Sequence, residues 1–185
     1  MSYRHTWEVI NHISDKDWAT IVPMIKTIEE LAKERGTRLT SEDHHTKAPQ
    51  EGIYVDDSTI NFNGDLRDKT LFREEFYFER KMRSRVRKQA TFCNTNYYPY
   101  DFYVCLCLLA IMSVVPEERF RLVMVDGSYE WTPIMLKFAE LFPYQTPTGL
   151  VLRLENVIMA SLDEEHQKKY EERGGSLCKV FKIDS

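Results

Sequence analysis

The chain has 185 residues, 43% of them hydrophobic, 29% charged and 12% aromatic, with seven Gly, seven Pro and four Cys. That profile excludes collagen-like, disulfide-scaffold and disordered classes and fits one globular domain, residues 1–185, large enough to bury its own core. The net charge of −4 provides no global attraction to nucleic acid or to an anionic membrane.

The opening residues, Met1-Ser2-Tyr3-Arg4-His5, lack the charged-then-apolar pattern of a leader, so a cytoplasmic protein is expected. Ser14, with Asp17 three residues on, resembles a capping box. It precedes Trp18, Ile21, Val22, Ile25, Ile28 and Ala32 at helical spacing, which predicts a helix ending near Gly36. Pro23 inside it is expected to bend the helix or to set the residues before it apart as a separate turn. The polar stretch from Thr37 to Gln50 reads as a strand leading into a mobile loop.

From Gly52 the period changes to two. Ile53, Val55, Thr59, Ile60 and Phe62 predict a β-meander, with turns at Asp56-Asp57 and Asn63-Gly64-Asp65. The run from Phe76 to Arg87 then alternates, with Phe76, Phe78, Met82 and Val86 on one face and Lys81, Arg83, Arg85 and Arg87 on the other. Pro99 and Asp101 mark a helix start, the acid suiting the positive end of the helix dipole. The apolar run from Phe102 to Met112 falls short of the about 20 residues a membrane span needs and predicts a central, buried helix.

Arg119 to Val125 is apolar on both faces and reads as an interior strand. Thr132-Pro133 predicts the next helix start, and Pro143 and Pro147 end that helix. A last helix is expected from about Leu154 to Gly174-Gly175, with a short terminal strand over Leu177 to Ile183. The order of elements predicts an α+β fold, with helices packed on a mostly antiparallel sheet.

The basic segment is the most distinctive chemistry. Arg80, Lys81, Arg83, Arg85, Arg87 and Lys88 place +6 within nine residues and leave −10 on the rest of the chain. Alternate arginines on a strand stand about 7 Å apart on one face, close to the spacing of successive phosphates, and each guanidinium forks its hydrogen bonds. The competing bland role is a solvated strand face paired with Glu74, Glu75 and Glu79.

Other candidates are weaker. The adjacent His44 and His45 face opposite ways on a strand, and the cysteines (Cys93, Cys105, Cys107, Cys178) form no C-x-x-C pair. No metal site is therefore expected, and the thiols are expected to be free. Cys105 and Cys107 diverge on a helix and should simply pack. His5 and His12 would share a face only if the segment between them were helical. Cys93 has no local support as a nucleophile. No G-x-S-x-G, P-loop, H-E-x-x-H or G-x-G-x-x-G is present, so no catalytic residue is assigned. Asp65, Asp101 and Asp126 are the acids placed at turns and helix starts, where distant residues converge.

Three motifs carry a resemblance. Phe62-Asn63-Gly64, then Phe92-Cys93-Asn94-Thr95 with Pro99-Tyr100-Asp101, then Asp126-Gly127 with Trp131 resemble, in order and spacing, a set of uncharacterised phage and bacterial proteins. The match runs from Ile60 to Phe142. Asn94 stands where that set has lysine, and Met124 where it has serine. The resemblance implies no reaction. It adds Asn63, Thr95, Tyr100, Asp101, Asp126 and Trp131 as residues that either line a site or fix turns and caps.

These readings together predict a non-catalytic accessory protein of the phage or mobile-element type. It would bind a phosphate-bearing small ligand, nucleotide-like, through Lys81, Arg83, Arg85 and Arg87, with the motif residues lining the rest of the pocket. No cofactor and no membrane partner are expected, and a homo-oligomer is compatible. The alternatives are a nucleic-acid-binding protein or metal-dependent nuclease that holds Mg²⁺ on Asp65, Asp101 or Asp126, and a protein-interaction or assembly protein.

Overall fold

The computed structural model describes residues 3–81, 91–145 and 148–183. In chain order these form β1 (Arg4–Val9), α1 (Asp15–Glu34), β2 (Thr40–Glu42), β3 (Pro49–Glu51), β4 (Tyr54–Val55), β5 (Thr59–Phe62), β6 (Phe76–Glu79), β7 (Thr91–Asn94) and α2 (Asp101–Val114). There follow β8 (Phe120–Val125), α3 (Trp131–Leu141), a 3-10 turn (Pro143–Gln145), α4 (Thr148–Ala160), α5 (Glu164–Glu172) and α6 (Leu177–Val180). The fold is α+β, and the described residues form three antiparallel sheets: β7-β1-β8, the hairpin β2-β3, and the meander β4-β5-β6.

Helix α1 starts where Ser14 Oγ accepts the Asp17 amide at 3.1 Å, and Asp15 and Asp17 suit its positive end. Its inward stripe of Trp18, Ile21, Ile25, Ile28 and Ala32 packs on α2. Helix α2 is buried at every position from Tyr103 to Met112, as expected of a helix apolar all round. Where the helix ends, carbonyls left without an intrahelical partner need another donor. Arg153 from α4 satisfies them, donating to the carbonyls of Met112 and Val115 at 2.8 and 3.2 Å and to that of Phe120 at 3.1 Å. A chain of aromatic contacts joins the meander to the β1 sheet: Phe62 to Phe76, Phe76 to Trp7, and Phe78 to Phe120, with centroids 5.2 to 5.7 Å apart.

Several expectations change. The segment carrying His5 is β1, the middle strand of its sheet, so the helical alignment of His5 with His12 does not arise. Helix α1 runs unbroken through Pro23, with no separate turn before it. Within Thr37 to Gln50 the expected strand is present as β2, and the chain after it turns back as β3 to pair with it in a hairpin. Asp43 Oδ1 folds its tip by accepting the amides of His45 and Thr46 at 2.8 and 2.9 Å.

Strand β8 lies at the sheet edge, not the interior. Phe120, Leu122 and Val125 turn inward, and Val123 is 43% exposed. Trp131, not Pro133, opens α3. The segment expected as one last helix from Leu154 is two, α4 starting already at Thr148, and the expected terminal strand is the helical turn α6. Among the described residues, Leu177 to Ile183 pairs with no strand. It folds back instead, its Leu177 amide donating to Glu155 Oε2 at 3.0 Å.

Candidate functional site

The middle position of β1 brings distant motifs together. His5 pairs in register with Cys93 of β7 on one side and Val125 of β8 on the other. Just past β7 the Thr95 amide donates to the Tyr3 carbonyl at 3.0 Å. Asn96 and Tyr97 then take positive φ, 52° and 61°, turning the chain into α2. The turn puts Asp101, in the first turn of α2, against His5.

The resulting cluster is sealed from solvent. His5, Thr95 and Cys105 are fully buried and Asp101 is 4% exposed. Asp101 Oδ1 accepts the Thr95 hydroxyl at 2.5 Å and lies 2.9 Å from His5 Nε2. Cys105, one helical turn after Asp101, places its Sγ 3.4 Å from the same His5 Nε2 and 3.8 Å from Asp101 Oδ2. Burial pushes the Cys105 thiol well up, and the neighbouring Asp101 carboxylate adds to the effect. His5 Nδ1 has no hydrogen-bond partner among the described residues, its ring meeting Tyr3 and Trp131 edge-on at 5.4 Å.

This is not a cysteine–histidine–acid relay. A relay needs the acid on one ring nitrogen and the thiol on the other, whereas here both face Nε2. Cys93 is equally unsuited as a nucleophile, since its buried Sγ donates to the Glu74 carbonyl at 3.5 Å and burial raises its pKa.

The remaining motif residues fall into two groups. Asp126, at the end of β8, accepts the Arg4 amide at 2.7 Å, and its carbonyl takes the Trp131 indole N–H at 3.1 Å. These bonds fix the turn around Gly127 beside the cluster. Asn63 and Tyr100 instead hold the loop after β5. Asn63 donates to the Arg73 carbonyl at 3.3 Å and accepts the Gly64 amide at 2.8 Å, while the Tyr100 hydroxyl donates to the Glu74 carbonyl at 2.7 Å. A side chain at 64 would meet the Leu71 carbonyl oxygen at 1.8 Å, so only glycine lets that loop close. The side chains of Asn63, Thr95, Tyr100, Asp101 and Trp131 therefore bond inward and hold the architecture.

The candidate Mg²⁺ carboxylates do not assemble. Asp65 is forked onto Arg67 at 2.7 and 2.9 Å, which holds its carboxyl down at about 2. Among the described residues, the His, Cys, Asp and Glu side chains whose ligand atoms converge are His5, Asp101 and Cys105, without Asp65 or Asp126. Local sequence held no signal for that trio, because 96 residues separate His5 from Asp101.

Of the basic segment, Arg80 is committed to the fold, its guanidinium 2.6 Å from Asp15 and over the Trp18 ring at 5.7 Å. Lys81 is exposed. Arg83, Arg85 and Arg87 lie outside the described residues. Comparison with protein-family models, curated proteins and solved structures finds no match to this chain. Among the described residues, no helix is long and apolar enough to cross a membrane.

Proposed function

We propose that this is a non-catalytic accessory protein, of the phage or mobile-element kind, that binds a phosphate-bearing small ligand through Lys81, Arg83, Arg85 and Arg87. The observation that carries the reading is the charge segregation, +6 within residues 80–88 of a chain of net −4. Two features of the fold support it. The motif side chains are engaged with one another and with backbone, which leaves anion recognition to the basic segment. The thiols of Cys93 and Cys105 are buried and held protonated, which disfavours covalent catalysis.

Calorimetric titration with inorganic phosphate, AMP and ATP tests the reading. Binding should strengthen with phosphate number, and replacing Arg83, Arg85 and Arg87 together by Glu should abolish it without shifting the thermal melt. Unchanged binding in that variant, or no binding by the native protein, would overturn it. A 20-nucleotide single strand bound far more tightly than ATP, with affinity falling steeply with salt, would replace it by the nucleic-acid reading.

A further inference from the structure

We propose that His5, Asp101 and Cys105 form a binding site for a zinc ion in the interior of the protein, independent of the basic segment. The three side chains converge instead of forming a chain. One ring nitrogen of His5, one carboxylate oxygen of Asp101 and Cys105 Sγ lie within 4.8 Å of one another, on two elements fixed by the sheet and by the start of α2.

Hydrogen bonding can satisfy Asp101 and Cys105, the thiol donating to Asp101 Oδ2 at 3.8 Å, but Nε2 can serve only one of its two neighbours. A ring nitrogen offers one in-plane lone pair or one N–H, yet Nε2 faces both the carboxylate at 2.9 Å and the thiol at 3.4 Å. One cation placed among them would take a lone pair from each. Zinc bonds of about 2.0 Å to nitrogen and oxygen and about 2.3 Å to sulfur, at tetrahedral angles, require separations of about 3.3 Å between N and O and about 3.5 Å from S to either. The observed 2.9 Å from Nε2 to Asp101 Oδ1 and 3.4 Å from Nε2 to Sγ lie within a few tenths of an ångström of those values, and Sγ stands 3.8 Å from the second carboxylate oxygen, Oδ2.

The surroundings fit as well. Thr95 donates to Asp101 Oδ1 and so orients the carboxylate, as a residue behind a metal ligand does. The Tyr3 ring meets that of His5 edge-on at 5.4 Å, and its hydroxyl is buried without a hydrogen-bond partner among the described residues. A water would fill the fourth position of the tetrahedron. One nitrogen, one thiolate sulfur and one carboxylate oxygen make a set of borderline softness that suits zinc, not magnesium or calcium. On binding, Cys105 gives up its proton to solvent and ligates as the thiolate, and His5 ligates through Nε2 with its proton on Nδ1.

The test is the zinc content of the untagged chain, purified from cells grown with added zinc, by elemental mass spectrometry. One zinc per chain should survive gel filtration, and removing it with a chelator should lower the melting temperature. Reloading the stripped protein with Co²⁺ should give a thiolate-to-cobalt charge-transfer band in the near ultraviolet. Cys105→Ser and His5→Gln should abolish both signals, whereas Cys107→Ala, on the same helix and equally buried, should keep them. Should Cys105→Ser fail to fold, metal content and the cobalt spectrum of the native chain still decide. Zinc far below one per chain with no cobalt band, a different metal in its place, or full zinc in Cys105→Ser would each overturn the assignment.

Discussion

At Gly127 the backbone takes φ +72°, and an added Cβ would fall 1.6 Å from the Tyr3 hydroxyl oxygen. Gly127→Ala therefore suffers twice, from the left-handed conformation and from a clash with a packed ring. It should cost about 1–3 kcal/mol, read by urea denaturation, and shift the intrinsic fluorescence of the aromatic cluster around Trp131. Asp65 makes a second residue-scale prediction. Its fork to Arg67 lowers the folded carboxyl from its ordinary 3.8 to about 2, so its stabilisation is complete above 3.8 and is lost as pH falls from there toward 2. The melting temperature should drop over that window, and Arg67→Ala should flatten the drop. Signals this local were legible in the sequence: the Ser14 cap, the Asn63-Gly64 turn and the acid at the start of α2. His5 was not, because nothing within a few residues of it announces a partner 96 positions away.

Among the elements, α2 shows how a helix end creates obligations elsewhere. The helix leaves carbonyls at its end without an intrahelical donor, and Arg153 serves those of Met112 and Val115 with one nitrogen and that of Phe120, in β8, with the other. Arg153→Ala should lower stability by about 2–3 kcal/mol in urea denaturation, and Arg153→Lys should recover only part, since an ammonium cannot reproduce the planar fork. Leu109→Ala, at the centre of the same helix and fully buried, should cost about 2–5 kcal/mol. The apolar run of α2 made this helix readable in advance. Strands were harder. Both-face apolarity in β8 looked interior because α4 and α2 cover an edge strand that still exposes Val123. Leu177 to Ile183 looked extended, yet Glu155 captures its first amide and starts a helical turn. In each case a tertiary partner overrode a short local pattern.

For the whole molecule, the four cysteines give a single readout of integrity. Cys93, Cys105 and Cys107 are fully buried, Cys178 is 8% exposed, and burial raises the pKa of every one of these thiols. A thiol reagent should leave the first three unlabelled in the native state and react with all four in urea, Cys178 first. The α+β class followed from the order of periodicities along the chain. The converging cluster did not, since only the sheet order decides which segments meet.

That sheet order also governs how the chain must fold. Strand β1 holds the middle of its ladder, yet its partners β7 and β8 lie some 85 to 120 residues further along, at His5 opposite Cys93 and Val125. Closing loops of that size precedes any reward from pairing, which slows folding relative to a chain of local hairpins. A ribosome delivers the middle strand first and its flanks last. Until Val125 has emerged, β1 keeps at least one bare edge, with Trp7 and His5 not yet enclosed, so chains arrested before that point should be the ones that chaperones hold and that aggregate when they do not.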